Sequence, residues 1–430
     1  MIPDGWRVET LENVADYSTG RTPSRDNPKY WEESDAAVPW VSISDMKPFA
    51  TVRSTRERIS ASAFHEVFRA RCAPAGTLLM SFKLTIGRVA TLGMDACHNE
   101  AIIALRPKSG IDQRFLGYFL SQIDYEDLQD RQIKGNTLNQ EKIDRLSISL
   151  PPVAEQVTIS DALDLARSAL DCESRVEAAT RQLKAAALRE LFTRGLRRGP
   201  QRESDFGAVP DAWRMVALDR CAAVQTGVAK GRTFLDTEMV DVPYLRVANV
   251  QNGHLDLREM KLIRIRKSEV DRYRLQTGDV VLTEGGDFDK LGRGFIWRSE
   301  IDLCVHQNHV FAVRPDRSRL LPEFFAYQAQ SEYGRAYFLK VAHKTTNLAC
   351  INSTKLKAFP VLIPPTLDEQ KEIVEVLDAI DRKIDLHKRK RVVLEKLFNA
   401  LLHKLVTGEI RVADLDLSAL DATVTAGAAA

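Results

Sequence analysis

Cysteine is scarce and scattered: six residues, at positions 72, 97, 172, 221, 304 and 350 of a 430-residue chain. No two are close enough for a CxxC pair, so neither a zinc site nor a dithiol redox motif is written, and buried reduced thiols are the expectation. Long apolar runs are missing as well. None approaches the roughly 18–20 residues that span a bilayer. The opening MIPDGWRVETLENV carries acidic residues and no signal-type apolar core, which points to a cytoplasmic protein. Charge of one sign is also in short supply, because 61 Lys and Arg stand against 59 Asp and Glu, for a net charge of +2. A nucleic-acid binder with this balance has to concentrate its positive charge locally.

Catalytic signatures are absent too. There is no GxxxxGK[ST] and no GxGxxG after a strand-like run. GGDFDKLGRG (Gly285 to Gly294) is glycine-rich without that spacing and reads as a loop. The only Pro pairs lie in LPPV and IPPT, neither of which is the Asn- or Asp-Pro-Pro-aromatic tetrapeptide of an adenine methyltransferase. No GxSxG occurs. HQNH (His306 to His309) has two His three apart, but its counterpart HNEA keeps only His98, and no third metal ligand is in sight. No catalytic, cofactor-binding or metal-binding residue is therefore assigned, and the chain reads as non-catalytic.

What the chain has is a repeat, the feature that decides architecture. IPDGWRVETLENVADYSTG (Ile2 to Gly20) matches VPDAWRMVALDRCAAVQTG (Val209 to Gly227). VPWVSISDM resembles VPYLRVANV, GTLLMSF resembles GDVVLTE, CHNEAIIALRP resembles VHQNHVFAVRP and FLGYFL resembles FFAYQA, all in the same order. LPPVAEQ (Leu150 to Gln156) returns as IPPTLDEQ (Ile363 to Gln370). Each copy has a front part mixing short β-branched runs with one aromatic helical stretch, which reads as an α+β domain. Each back part lacks Pro and Gly for 42 residues and reads as one long helix. A Pro pair ends a strand and starts the next element cleanly. The expected order is a first domain at 1–150, a spacer helix at 151–198, a mobile linker at 199–208, a second domain at 209–363, a second spacer helix at 364–412 and an Ala-rich tail at 413–430, either poorly ordered or a short helix that docks on a partner.

The second helical segment reads in heptads. Ile373, Ile380, His387, Leu394 and Leu401 form one row, and Leu377, Ile384, Arg391, Phe398 and Leu405 the other. In the first segment Ile159, Leu163, Ala166 and Leu170 start a seam that Leu183, Ala187 and Leu191 resume. At about 1.5 Å per residue each rod is roughly 60 Å long. Packed antiparallel, the rods would bring their middles together, Glu173 facing Arg391 and Glu177 facing His387. These polar pairs are the candidates for fixing register. Two similar domains on such a spacer would act as a ruler.

Two polar turns recur in each copy. SFKLTIGRVA (Ser81 to Ala90) places Lys83, Thr85 and Arg88 around a glycine, and the same region of the second copy places Lys290 and Arg293 around Gly292. KGNTLNQ (Lys134 to Gln140) offers Lys134, Asn136 and Thr137, and HKTTNLACIN (His343 to Asn352) offers Lys344, Thr345, Thr346 and Asn347. Such side chains hold phosphates and read base edges. Equal scaffolds with unequal loops would read two unequal half-sites.

The opening GWRVETLENVADYSTGRTPSRDNPKYW…VPWVSISDM, the segment GTLLMSFKLTIGRVA…CHNEAI, both PP…EQ boundaries and the closing LLHKLVTGEIRV together resemble the specificity subunit of type I restriction-modification enzymes, over residues 1 to about 412. The resemblance implies two α/β target recognition domains in tandem, separated by two long helices in an antiparallel coiled coil, with a pseudo-twofold internal repeat. It implies one chain reading a bipartite double-stranded DNA target with a nonspecific gap. It implies docking of two methyltransferase subunits, which carry S-adenosylmethionine and methylate adenine, and of two restriction subunits that use ATP and Mg. The competing reading is a non-enzymatic coiled-coil adaptor for proteins, which explains the rods but not the paired polar turns.

Overall fold

The computed structural model describes residues 3–126, 130–132, 135–229, 238–286, 291–344 and 349–428. It divides into two compact units, Met1–Val176 with Lys388–Ala430, and Glu177–His387. Among the described residues no helix is long and apolar enough to cross a membrane.

In the first unit, short β-branched runs form a five-stranded sheet in the order Ala15–Thr19, Ile102–Pro107, Leu78–Ser81, Val89–Leu92, Thr51–Val52. A three-stranded sheet sets Val38–Val41 between Glu57–Ile59, antiparallel, and Cys97–His98, parallel. The second unit repeats this plan. Its four-stranded sheet runs Ala222–Thr226, Val310–Pro315, Val280–Thr283, Gly294–Ile296, and Met239–Leu245 lies between Lys261–Arg266, antiparallel, and Val305–His306, parallel. Leu78–Ser81 and Val280–Thr283 are buried at every position, as suits central strands covered on both faces.

The doubled punctuation has a doubled structural cause. Arg7–Thr10 pairs with Ser147–Leu150, and Arg214–Ala217 with Pro360–Ile363, so the Pro pair follows a strand tied to the start of its own repeat. The helices Val153–Arg194 and Leu367–Val406 begin just beyond. In their first turns Glu155 accepts from the Trp6 indole N–H at 3.3 Å, and Glu369 from that of Trp213 at 3.2 Å. Both carboxylates also sit where the helix dipole favours negative charge. The next residue is a buried clamp. Gln156 accepts from the Asp112 N–H at 2.8 Å and donates to the Pro151 carbonyl at 3.0 Å. Gln370 accepts from the Leu321 N–H at 2.9 Å and donates to the Arg319 carbonyl at 3.0 Å. Farther along, the Tyr118 hydroxyl donates to Asp164 and that of Tyr327 to Asp378, each at 2.6 Å. Both long helices end on a glycine in the left-handed region, Gly195 at φ +70° and Gly408 at φ +75°, the usual helix stop. Each glycine lies against an indole: a Cβ would come within 3.4 Å of Trp213 Nε1 from Gly195 and 3.3 Å of Trp6 from Gly408.

Within the first unit, Ile159, Leu163, Ala166 and Ala169 share one core cluster with Leu394, Phe398, Leu401 and Leu405. Within the second, Leu191 and Phe192 share one with Ile373 and Leu377. The start of each long helix thus packs on the end of the other, which is antiparallel pairing. Each fully buried Leu, Ile or Phe contributes about 1.5–3 kcal/mol relative to exposure.

The seam differs from the expected one at one place. Leu183 is 56% exposed, and Thr180 and Lys184 are turned inward instead. Lys184 ion-pairs with Asp381 at 2.6 Å, and the Tyr327 hydroxyl donates to the same carboxylate at 2.8 Å. The three-four spacing therefore runs 173, 177, 180, 184, and the leucine lies one position off it. Glu173, only 4% exposed, pairs with Lys390 at 2.5 Å. Arg391 pairs with Glu395 at 3.8 Å, and Glu177 with Arg181 at 2.8 Å. His387 is half-buried in the second unit.

Two segments correct the expected order. The stretch read as a mobile linker holds a hairpin, Gln201–Ser204 with Gly207–Pro210, whose turn puts Gly207 at φ +108°. Phe206 at its tip stacks edge-on to Tyr333 and Tyr337, which gives the turn an apolar anchor. The Ala-rich tail forms the helix Ser418–Ala428. Leu420 buries into the first unit's core, and Gly427 lies where a Cβ would be 2.8 Å from Cys172 Sγ, so small residues allow close docking.

Candidate nucleic-acid interface

The first polar turn closes the end of a central strand. Ser81 is tied to two residues of the turn: its N–H donates to the Arg88 carbonyl at 2.9 Å, and its carbonyl accepts from the Gly87 N–H at 2.9 Å. The Ser81 hydroxyl donates to the Thr85 carbonyl. Gly87 has φ +79°, and a Cβ there would lie 2.5 Å from the Tyr125 ring, so only glycine fits. The turn presents Thr85 and Leu84, the latter 65% exposed. Lys83 lies over the Phe82 ring with Nζ 5.4 Å from its centroid. Arg88 is placed otherwise. Its guanidinium donates to the Ile43 carbonyl at 3.2 Å and the Met46 carbonyl at 3.4 Å, bracing the loop after Val38–Val41.

The second polar turn meets the first. The Leu138 N–H donates to the Phe82 carbonyl at 3.0 Å. In the second repeat the Ile351 N–H donates to the Glu284 carbonyl at 2.8 Å, the equivalent pair. There the contact extends into a small sheet, with Gly285–Gly286 paired to Ala349–Cys350 and that strand to His343–Lys344. Matching bonds hold the other side, the Phe82 N–H to the Ala101 carbonyl at 2.9 Å and the Glu284 N–H to the His309 carbonyl at 3.0 Å. Asn139 and Asn352 each cap the short helix that follows, accepting from Lys142 N–H and Lys355 N–H at 2.9 Å. The polar asparagines at these two positions are thus structural.

Lys344 is exposed on its strand. Arg293 is half-buried, and its Nε makes no hydrogen bond with any described residue. Asn136 and Thr137 lie on a hairpin strand, Gly135–Thr137 paired to Asp130–Gln132. Lys134, Lys290, Thr345, Thr346 and Asn347 lie outside the described residues. In the second repeat the His309 imidazole contacts Glu284 at 2.5 Å, a pairing the residue spacing alone did not suggest. The repeated His98 and His306 are buried, and burial lowers both imidazoles below their ordinary range, which keeps them neutral inside the fold. Gly20 and Gly227 explain part of that fit, since a Cβ at either would be 2.0–2.1 Å from the carbonyl of the buried histidine.

The family described as "Type I restriction modification DNA specificity domain" matches residues 3–177 and again 210–396. The chain is 26% identical to the StySPI specificity subunit of Salmonella potsdam, a type I restriction enzyme subunit, over 71% of this chain and 67% of that one. It is 22% identical to the MjaIX specificity subunit of Methanocaldococcus jannaschii, over 96% of this chain and 95% of that one. Among solved structures, the S subunit of a type I restriction-modification system from M. genitalium aligns with a TM-score of 0.53 at 14% identity, covering 94% and 96% of the two chains. A chain solved for complex assembly and conformational transition of the type I R-M system aligns with a TM-score of 0.58 at 18% identity, covering 95% and 100%. At these identities the structural likeness speaks for the fold.

Proposed function

Because the chain belongs to the type I restriction-modification DNA specificity family, with a recognition and not a catalytic role, we propose that it reads a bipartite double-stranded DNA target, one half-site per repeat. The observation that carries this is the recurrence of one loop arrangement. The same backbone bonds, Leu138 to Phe82 and Ile351 to Glu284, bring two polar turns together at the end of a central strand in both repeats. The scaffold is equal and the side chains on it are unequal, the requirement for reading two different base sequences. Discrimination would come from a few side chains at about 1–3 kcal/mol each.

The paired long helices would set the gap between half-sites and offer the surface on which two methyltransferase subunits and two restriction subunits assemble. S-adenosylmethionine, ATP and Mg would be held by those partners, in the cytoplasm. Methylation requires the adenine to leave the stack, which needs DNA held from several sides and suits a reader that works in a complex.

The test is selection of bound duplexes from a random pool by the full chain in complex with methyltransferase subunits. Two short defined blocks separated by an undefined stretch of fixed length are expected. One continuous block, or no enrichment from a complex that binds S-adenosylmethionine, would overturn the reading and favour the protein adaptor.

A further inference from the structure

We propose that the first repeat, and not the second, carries an arginine cleft that holds a phosphate group of the DNA backbone. The site deepens the DNA-reading function proposed above and rests on it. A cleft of about 670 Å³ lies along the edge strand Ala15–Thr19 of the five-stranded sheet. Four arginines line it, Arg21, Arg69, Arg71 and Arg106, and no aspartate or glutamate does.

These cations are not spent inside the fold. Arg21 donates to the Val67 carbonyl at 3.1 Å. The side chains of Arg69, Arg71 and Arg106 make no hydrogen bond or ion pair with any described residue. Neighbouring carboxylates are engaged elsewhere. Asp16, across the strand pair from Arg106, contacts Lys108 at 3.8 Å. Asp95 accepts from the Ala75 N–H at 2.8 Å, and Glu100 from the Thr22 hydroxyl. Four unneutralised guanidiniums in a concave wall focus a positive field that an anion relieves. The guanidinium fork also matches two oxygens of a phosphate. The wall that carries two of them is unusual: Arg69 and Ala70 both take left-handed conformations, φ 54° and 55°, which side chains other than glycine rarely adopt and which cluster at functional sites.

In the second repeat the same frame pairs the matching strand arginine inside the fold. Arg314 stands where Arg106 does, opposite Ala223 as Arg106 is opposite Asp16. Asp279 stands where Thr77 does, directly before the central strand. Its carboxylate, 1% exposed, takes both prongs of Arg314 at 2.7 Å each. Thr77 instead donates its hydroxyl to the Pro74 carbonyl at 2.7 Å. Arg21 has Val228 as its counterpart. One substitution thus decides whether this arginine is paired internally or left for a ligand.

The experiment measures affinity of the full chain, in complex with methyltransferase subunits, for target and scrambled duplexes over a salt series. The variants are Arg71→Gln with Arg106→Gln, the same pair changed to Lys, and Arg314→Gln. Each phosphate contact contributes about 0.9 to the slope of log K against log salt. The Gln pair should lower that slope by about 2, equally for both duplexes, and the Lys pair should restore most of it. Arg314→Gln should leave the slope unchanged. An unchanged slope in the Gln pair, with wild-type DNA binding intact, overturns the cleft and leaves the reader standing. Wild type that binds no duplex overturns the reader. A parallel phosphorus NMR titration with inorganic phosphate reports on the cleft directly. Broadening that the Gln pair abolishes, without any effect on DNA, would make the ligand a free anion and overturn the DNA assignment. No broadening and no slope change would remove the site altogether.

Discussion

The two repeats share a frame and differ in how they spend polar residues on it. Arg106 in the first and Arg314 in the second occupy the same place beside a central strand, yet only Arg314 has a buried carboxylate partner. Likewise Phe82 and Glu284 hold the same backbone position, with an aromatic platform under Lys83 in one and a Glu–His pair in the other. The bonds that maintain the frame are main-chain bonds or come from buried Trp, Gln and Tyr side chains at matching places. Residues around them are free to diverge. Such a frame carries different side chains without changing how it folds.

The largest difference is expected from breaking the internal ion pair. Asp279→Ala removes a buried carboxylate and leaves Arg314, 39% exposed, without its partner. A loss of about 2–3 kcal/mol is expected, below the 3–5 typical of fully buried pairs because the arginine keeps some water. Thr77→Ala, the matching change in the first repeat, loses one neutral hydrogen bond and should cost about 0.5–1.5 kcal/mol. Hydrogen exchange on Val310–Pro315 and Ile102–Pro107 would measure both. Equal costs would erase the distinction between the repeats.

A smaller contrast lies in the seam. Lys184→Ala unpairs Asp381 and should cost about 1–3 kcal/mol, whereas Leu183→Ala on the exposed side should stay within about 0.5 kcal/mol. Denaturant melts of the two variants would show the reverse order if the leucine were the seam residue. The smallest effect is the register pair. A double-mutant cycle on Glu173 and Lys390 should return a coupling of about 1 kcal/mol, and one on Glu173 and Arg391 should return less. A larger coupling to Arg391 would favour the facing pairs read from the heptads.

Much of the frame was legible because it is written twice. Repeated Trp-Arg, Pro-Pro and Glu-Gln marks located the boundaries between sheets and helices. What they do was not legible: the Glu reaches a Trp 149 residues away in the first repeat and 156 in the second, and the Gln clamps a loop over 40 residues distant. The phase error at Leu183 came from counting apolar residues where the seam is polar. Thr180 and Lys184 are poor seam residues until Asp381 and Tyr327 are seen across from them. Composition alone leaves the tail between a disordered end and a docking helix and makes the linker look loose; Phe206, Leu420 and Gly427 decide both by finding tertiary partners within the chain. In the candidate site the recurring turns were legible and Arg88's bracing role was not, since a cation in a turn looks the same whether it points to solvent or to a carbonyl. The arginine cleft combines residues from three separate stretches, 18–21, 68–77 and 97–106, which no spacing joins.

The most direct test of two unlike readers on one frame is a base-modification map. The chain would be expressed with its methyltransferase subunit in a methylation-free host, and the genome sequenced for methyladenine. A single split motif with two different defined parts around a fixed gap is expected. Modification at one undivided motif, or at none while the complex purifies intact, would contradict it.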